Sequence, residues 1–170
     1  ETGIRQIVLA HHREDQAETF LMRLLRGAGP EGLGCMRPLE ERDGLTLLRP
    51  MLELSGAEMR QALEAERITW REDSSNGKEG YFRNRIRHGL LPRMEELAPG
   101  AAEKLARAAE LIGEESDELD SQARALYQDA AEGDAFSLAA LLEAGSALRK
   151  RALRLWWRES GPELEERSLD

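Results

Sequence analysis

The chain has 170 residues, of which 41% are hydrophobic and 34% are charged, with a formal net charge of −9 and one cysteine. This length and apolar content suit one ordinary domain or two small ones and exclude general disorder. The lone Cys35 excludes an internal disulfide, and no charge-free stretch approaches the about 18 apolar residues of a membrane helix. We expect a protein of the reducing cytoplasm, and its acidity argues against general coating of nucleic acid.

The first predicted elements are a strand and, directly after it, a helix. Residues 4–10 contain a short apolar run with β-branched side chains, which is typical of a buried strand in a parallel sheet. Asp15 is a good N-cap, and Glu18 three positions later completes a capping box. The predicted helix ends at the glycines of residues 27–29. Its apolar face comprises Phe20, Leu21, Leu24 and Leu25.

The middle of the chain predicts loops around one further helix. Residues 27–54 are rich in Gly and Pro and predict a long loop with short extended pieces. Residues 46–48 and 68–70 are only weak strand candidates, so partners for the first strand are few. A second capping box begins at Ser55 and predicts a helix. Residues 72–80 hold turn-forming and polar side chains and predict a loop.

The rest of the sequence is helical in pattern. Residues 81–97 form a basic helix that Pro92 bends or restarts. A long helix covers about residues 99–129, and two shorter helices are predicted at residues 138–144 and 147–159. The amino-acid composition changes near residue 98, directly after the basic helix, and this change marks the best domain boundary.

The predicted fold class is therefore an α/β fragment followed by an all-α helical region, mostly helical overall. The α/β fragment covers residues 1–97 and resembles the end of a larger parallel-sheet domain. The helical region covers residues 98–170.

One candidate site lies between the first strand and the first helix. His11, Asp15 and Glu18 are placed where open parallel sheets bind ligands, beyond the carboxyl ends of the strands. Carboxylates and imidazoles there can bind an amine or a metal-bound nucleotide. The alternative is structural, with the carboxylates capping the helix and the histidines serving as polar residues at a strand end.

A second candidate site is the basic start of the helix at residues 81–97. Arg83 and Arg87 are spaced i, i+4 and share a face, whereas Arg85 points elsewhere. Like charges at that spacing repel each other unless an anion lies between them, and guanidinium groups bind phosphate or carboxylate. The alternative is a solvated basic face paired with nearby glutamates.

A third candidate site is the basic helix near residue 150. Apolar residues take one side of this helix, and the cations on the other side can contact an RNA backbone. Those cations are Arg149, Lys150, Arg151 and Arg154. The alternative is a core helix with a solvated face, and we expect Trp156 and Trp157 in the core.

Several pieces of the sequence, taken in order, resemble the tRNA(Ile)-lysidine synthetase family of PP-loop ATP pyrophosphatases. Residues 7–29 read IVLAHHREDQAETFLMRLLRGAG, similar to the family's AHH-x-D-D-Q-x-E-T segment and the L-x-R-G-x-G that follows it. Residues 32–36 read GLGCM and residues 48–52 read LRPML, like its next two pieces. Residues 72–76 read EDSSN and residues 81–87 read YFRNRIR, like its last.

The resemblance implies a two-step reaction. The family uses ATP, with Mg²⁺, to adenylate the wobble cytidine of an isoleucine tRNA with a CAU anticodon, and the amine of free lysine then displaces AMP to give lysidine. By this resemblance the catalytic residues, which line the pocket for lysine and ATP, are His11, Asp15 and Glu18. The residues that bind the adenylated intermediate or the tRNA are Arg83, Asn84 and Arg87.

The resemblance also assigns the two regions and shows two departures. Residues 1–97 would be the C-terminal part of a PP-loop ATPase catalytic domain, and residues 98–170 a helical linker or tRNA-binding domain. The family's Ser-Gly-Gly-x-Asp-Ser loop is absent from these residues. We therefore expect an incomplete enzyme, inactive alone, with ATP and Mg²⁺ bound mainly upstream and no metal site of its own. Glu14 stands where the family more often has Asp.

Three alternatives remain open at this stage. A tRNA thiolation enzyme of the same superfamily would use pairs of cysteines, which the single Cys35 argues against. A non-catalytic helical RNA-binding or interaction module derived from the family would explain the missing loop. A structural domain that binds no nucleotide would have no affinity for tRNA. A homodimer is possible through an exposed sheet edge.

Overall fold

Helices dominate the computed structural model, which describes residues 3–42, 44–70, 81–132 and 135–160. The α-helices are α1 Arg13–Leu25, α2 Pro30–Leu33, α3 Gly56–Ala65, α4 Tyr81–Arg85, α5 Leu91–Leu97, α6 Ala101–Ala130, α7 Leu138–Glu143 and α8 Ser146–Ser160. A π-helical turn at Ile86–Leu90 joins α4 to α5. The strands are β1 Gln6–Val8, β2 Leu39–Arg42, β3 Leu45–Leu48, β4 Ala131–Glu132 and β5 Ala135–Phe136. The predicted class, an α/β part followed by helices, is confirmed. None of the described helices has the length and apolar content to span a membrane.

The first three strands form one mixed sheet in the order β1-β3-β2. β1 pairs in parallel with β3, with Ile7 opposite Leu47, and β2 pairs antiparallel with β3. The weak strand candidate at residues 46–48 is thereby confirmed, whereas residues 68–70 form no strand. The prediction that the first strand is buried is wrong, because Val8 is 66% exposed. Among the described residues, β1 has a strand partner on one edge only.

Helix α1 begins earlier than its capping pattern predicts. His12 is the N-cap residue in extended conformation, and Asp15 is the third helical residue, whose Oδ2 accepts the His12 backbone N–H at 3.1 Å. The prediction of Asp15 as N-cap is therefore wrong, and the capping box consists of His12 and Asp15, without Glu18. Phe20 and Leu21 are buried as predicted, but Leu24 is 47% exposed, and Leu25 is exposed as well.

Helix α3 has the capping box that its sequence predicts. The Ser55 hydroxyl accepts the Glu58 backbone N–H at 3.1 Å, and the Glu58 carboxylate accepts the Ser55 backbone N–H at 2.7 Å. The predicted loop at residues 72–80 lies outside the described residues.

The predicted basic helix at residues 81–97 consists of α4, the π turn and α5. Pro92 lies in the first turn of α5, where its missing N–H costs no helical hydrogen bond. The π turn carries Ile86, which is only 2% exposed. A turn of this kind is rare and is frequently found at functional sites.

One apolar core fixes α1 against the segment that carries the arginines. Ala17 and Leu21 of α1 pack with Ile86 of the π turn, Leu91 of α5 and Ala102 of α6. Partly buried side chains around this core are Met22, Phe82, Met94 and Leu105. The packing therefore places the α4–π segment beside the first turns of α1.

The chain divides into two compact units, Glu1–Glu114 and Glu115–Asp170. The division falls within α6, later than the composition boundary at residues 97 and 98, which stays a prediction. The second unit has its own core of Ala123, Leu141, Ala152 and Leu155. It contains the two predicted short helices and the β4–β5 hairpin, which the sequence pattern did not indicate.

Candidate active site

Two carboxylates lie on one face of α1 at the carboxyl end of the parallel strand pair. Asp15 and Glu18 are spaced i, i+3, which places them side by side on the helix. Asp15 is 8% exposed and Glu18 is 1% exposed. Carboxylates so deeply buried require partners, because an unpaired buried charge is very costly.

The partners are the two arginines that the sequence analysis singled out. The Arg83 Nε donates to Glu18 Oε2 at 2.9 Å, and its Nη2 donates to Asp15 Oδ1 at 2.8 Å. The Arg87 Nε donates to Glu18 Oε1 at 2.6 Å, and its Nη2 donates to Asp15 Oδ1 at 3.0 Å and to Glu18 Oε2 at 2.9 Å. The anion expected between the arginines is thus the carboxylate pair of this chain. We call these four residues the carboxylate–arginine cluster.

The cluster is balanced in charge, with two anions and two cations. Both oxygens of Glu18 accept guanidinium hydrogen bonds, and the side chain is almost fully enclosed. The Arg83 and Arg87 side chains are 26% and 25% exposed. A guanidinium carries five N–H donors. The exposed part of each arginine can therefore bind an anion from solvent while Glu18 accepts hydrogen bonds from its buried part.

A second network holds the start of α1 against α3. The Glu14 Oε2 accepts the Gly56 backbone N–H at 3.0 Å and lies 2.8 Å from His12 Nδ1. The other imidazole nitrogen of His12 lies 3.3 Å from Asp15 Oδ2. His12 therefore bridges Glu14 to the carboxylate–arginine cluster, so the longer Glu side chain keeps a carboxylate in the site.

The charges of this network shift the titration of both partners. Burial opposes ionisation of Glu14, but hydrogen bonds from His12 and from the Gly56 backbone outweigh it and lower its pKa to about 2. The hydrogen bond to Glu14 raises the pKa of His12 above 6.5. Folding therefore favours the ionised form of each side chain, the carboxylate of Glu14 and the imidazolium of His12.

His11 lies beside the cluster and behaves in the opposite way. Burial lowers its pKa below 6.5, and the positive charges of Arg49 and Arg83 act in the same direction against the negative charge of Asp15. A neutral imidazole is thereby favoured at pH 7. Asn84 follows Arg83 on α4 and is half-buried, and its binding role stays a prediction.

Two residues that support the site were missed by the sequence analysis. The Gln16 side chain donates to the Met36 carbonyl at 3.0 Å and accepts the Met36 N–H at 3.1 Å, which ties the loop after α2 to α1. Arg49, at the carboxyl end of β3, is 7% exposed and donates to the Arg37 carbonyl at 2.8 Å. The sequence did carry a signal for both residues, since Gln16 directly follows the candidate Asp15 and Arg49 directly follows a strand candidate.

The described residues do not fit a resident metal ion. No group of three or more His, Cys, Asp or Glu side chains in the described ranges can hold one. Asp15 and Glu18 already accept arginine hydrogen bonds. Cys35 is half-buried, and burial raises its pKa to about 11, so its thiol stays protonated.

The basic helix α8 has two different sides. Arg151 is 7% exposed, donates to the Ser116 carbonyl at 2.9 Å and also contacts Asp120. Its predicted place on the solvated basic side is therefore wrong. Lys150 and Arg154 are exposed and Arg149 is half-buried. Trp157, expected in the core, is 41% exposed.

The fold and the cluster agree with the relationship found by comparison with known families. The sequence profile of the PP-loop domain matches residues 1–94, more than half of the chain. The chain therefore belongs to the PP-loop domain family. The match covers both the carboxylates on α1 and the arginines of the α4–π segment.

Curated relatives make the relationship more specific. The chain is 48% identical over 113 residues to the tRNA(Ile)-lysidine synthase of Geobacter sulfurreducens, covering 66% of this chain and 24% of the relative. It is 41% identical over 151 residues to that of Xanthomonas axonopodis pv. citri, covering 88% and 34%. It is 40% identical over 161 residues to that of Bordetella parapertussis, covering 91% and 47%. The chain thus spans between a quarter and a half of the length of these relatives.

Proposed function

We propose that this chain is part of an enzyme that forms lysidine. The reaction joins the amine of free lysine to the wobble cytidine of an isoleucine tRNA with a CAU anticodon, through a cytidine that ATP has adenylated. Membership of the PP-loop domain family and the names of the relatives support this proposal. The observation that carries it furthest is the carboxylate–arginine cluster at the carboxyl end of the parallel strands.

In this proposal Arg83 and Arg87 bind the anionic part of the substrates. Both guanidinium groups are held rigidly by buried carboxylates, yet each keeps about a quarter of its side chain exposed. Preorganised cations of this kind stabilise charge that develops on a transferring phosphoryl group. Asn84, next to Arg83, would contribute to the same binding surface.

The carboxylates then divide into two roles. Glu18 is enclosed by the arginines, so we propose that it is a positioning residue that fixes their orientation. Asp15 lies nearer the surface, with its side chain 11% exposed, between the arginines and His12. We propose that it faces the lysine ammonium group, whose charge it complements.

His11 completes the proposed chemistry. An amine must lose a proton when it forms a bond to carbon, and a neutral imidazole within reach can accept it. Burial keeps His11 on the neutral side of its titration near pH 7. We propose that ATP and Mg²⁺ bind mainly outside these residues, and that this chain alone does not complete the reaction.

The test is incorporation of labelled lysine into a CAU-anticodon isoleucine tRNA in the presence of ATP and Mg²⁺. This chain is assayed alone and as a replacement for the matching segment of the Geobacter sulfurreducens relative. We expect incorporation by the hybrid and none by the chain alone. A folded hybrid without incorporation would contradict the proposal and favour the non-catalytic RNA-binding module.

Conservative variants of the hybrid test the role of the arginines. Arg83→Lys and Arg87→Lys keep the charge but lose the bidentate geometry. We expect each to lower kcat/KM by at least about tenfold, which is less than the about 100- to 1000-fold loss on removal of a whole donor because lysine keeps the charge. Arg85→Lys is the matched control, since Arg85 is exposed on the same helix. Equal activity in all three variants would exclude the proposed role.

A further inference from the structure

Arg49 is a buried cation at the carboxyl end of the parallel strand pair. It directly follows β3, whose last residue, Leu48, accepts the backbone N–H of Leu9 at 2.8 Å just after the end of β1. The chain reaches His11 two residues after Leu9, so Arg49 and His11 follow neighbouring parallel strands. Arg49 is 7% exposed. Water screens a charge at this depth only weakly, so the charge acts on the groups around it.

Contacts of both its backbone and its side chain hold Arg49 in place. Its backbone N–H donates to the Pro38 carbonyl at 2.8 Å. Its Nη1 donates to the Arg37 carbonyl at 2.8 Å and to Glu40 Oε2 at 2.9 Å. The Glu40 side chain is 35% exposed, so water screens this carboxylate more than it screens the guanidinium. The positive member of the pair therefore has the stronger effect inside the site.

The surroundings of His11 favour a neutral imidazole. Its Nδ1 is buried and has no hydrogen-bond partner among the described residues, and the same is true of the Nε of Arg49. An imidazolium uses both ring nitrogens as donors, so protonation of Nδ1 would create a buried N–H without an acceptor, which the neutral ring avoids. The charged and titratable groups that act on His11 are Asp15 of α1, Arg49 after β3, Arg83 of α4 and the neighbouring His12.

We propose that Arg49 is a positioning residue for His11, whose imidazole it keeps free to accept a proton through a buried positive charge at the strand end. The catalytic part of this proposal rests on the proposed function. In that reaction the amine nitrogen of lysine bonds to the cytidine carbon, AMP leaves with the electron pair of its bond, and the proton of the amine passes to His11. Asp15 attracts a proton to the imidazole, and Arg49 opposes this attraction without touching the substrate. One carboxylate can therefore bind an ammonium group while the imidazole beside it stays a base.

Proton NMR of this chain measures the protonation of His11 directly. The chain has three histidines, so the ring signals are few, and His12→Gln and His88→Gln assign them by difference. Arg49→Met removes the cation and keeps a long apolar side chain. We expect the pKa of His11 to rise in this variant, because a buried positive charge is lost. Arg93→Met removes an exposed arginine of α5 and is expected to leave the pKa of His11 unchanged.

Glu40→Gln is the opposite test, and it does not depend on whether Arg49→Met folds. The amide keeps an oxygen that can accept the Nη1 hydrogen bond of Arg49, but it loses the anion that partly balances the guanidinium. We expect the pKa of His11 to fall below that of the unchanged chain. Glu96→Gln, in the exposed pair with Arg93, is the matched control and is expected to have no effect. Circular dichroism verifies that each variant folds.

The second readout is the pH profile of lysidine formation by the hybrid with the Geobacter sulfurreducens relative. The proton acceptor must be neutral, so the acid limb of kcat/KM reports its titration. We expect this limb to move to higher pH in Arg49→Met and to lower pH in Glu40→Gln, by the same intervals that NMR measures. A merely structural role of Arg49 would lower kcat/KM at every pH without moving the limb.

Two outcomes overturn the proposal. The first is a pKa of His11 that moves no further in Arg49→Met and Glu40→Gln than in the two control variants. The second is an acid limb that stays in place although NMR records the shift, since the proton acceptor would then be another group. A hybrid that forms no lysidine contradicts the proposed function alone, and the NMR comparison on this chain still decides whether Arg49 acts on His11.

Discussion

Removal of one charge from the carboxylate–arginine cluster tests whether it holds the first unit together. Glu18→Gln preserves the shape of the side chain but removes its negative charge. That carboxylate accepts hydrogen bonds from Nε of Arg83 and from Nε and Nη2 of Arg87. Breaking a buried ion pair costs about 3–5 kcal/mol. The arginines are about a quarter exposed, and water and Asp15 compensate in part. We therefore expect a loss of about 2–3 kcal/mol in the free energy of unfolding.

Urea unfolding of this chain measures the loss, followed by circular dichroism and by hydrogen exchange of α1 and α4 so that the first unit is observed separately. At typical urea dependences of about 1–3 kcal/mol per molar, this loss lowers the urea midpoint by about 0.7 to 3 M. Glu96→Gln is the control, since the exposed pair of Arg93 and Glu96 contributes less than about 1 kcal/mol. If Glu18→Gln costs no more than Glu96→Gln, the cluster does not stabilise the fold as argued.

Three further changes test other parts of the structure. As pH falls from 4.5 to about 2, the unchanged chain should lose about 1–2 kcal/mol of unfolding free energy that Glu14→Gln does not lose, because ionised Glu14 stabilises the fold and is protonated as pH falls to its lowered pKa. Protonated His12 adds stability below pH 6.5, and this stability disappears as pH rises through the raised pKa of His12. Thermal melts across this pH range measure both effects. Gly34→Ala should cost about 1–3 kcal/mol in urea, since a Cβ there lies 2.9 Å from helix backbone of α6, whereas Gly89→Ala, in open space, should cost nothing. Arg151→Met should lower the melting temperature of the second unit without weakening the binding of tRNA by this chain. A loss of tRNA binding in a folded variant would return Arg151 to the predicted RNA contacts of α8.

Local patterns predicted local structure well in this chain. The capping box at Ser55 is formed, and the long helix of the pattern at residues 99–129 corresponds to α6. Both depend on contacts within a few residues, which the sequence displays directly. The start of α1 was misplaced because Asp15 is a common N-cap residue, whereas the actual N-cap is His12.

Contacts between residues that are far apart in the chain could not be predicted from the sequence patterns. The repulsion between Arg83 and Arg87 indicated that an anion lies between them, but not that Asp15 and Glu18 supply it from α1. The spacing of Arg151 from Leu148 and Leu155 places it beside the apolar face of α8, but its contact with Ser116 is not visible in the sequence. Only the tertiary packing decides which charges are available to a ligand.

The π turn has a consequence for changes in chain length. Ile86 begins the turn and Leu91 follows it, five positions later. Both pack into the core, which the wider turn allows because it carries about one residue more than an α-helical turn. Deleting one residue between them would rotate α5 relative to Arg83 and Arg87, so either the core or the cluster would lose its partners. This segment should therefore accept substitutions but no insertion or deletion, and its length is as strongly constrained as the identity of the two arginines.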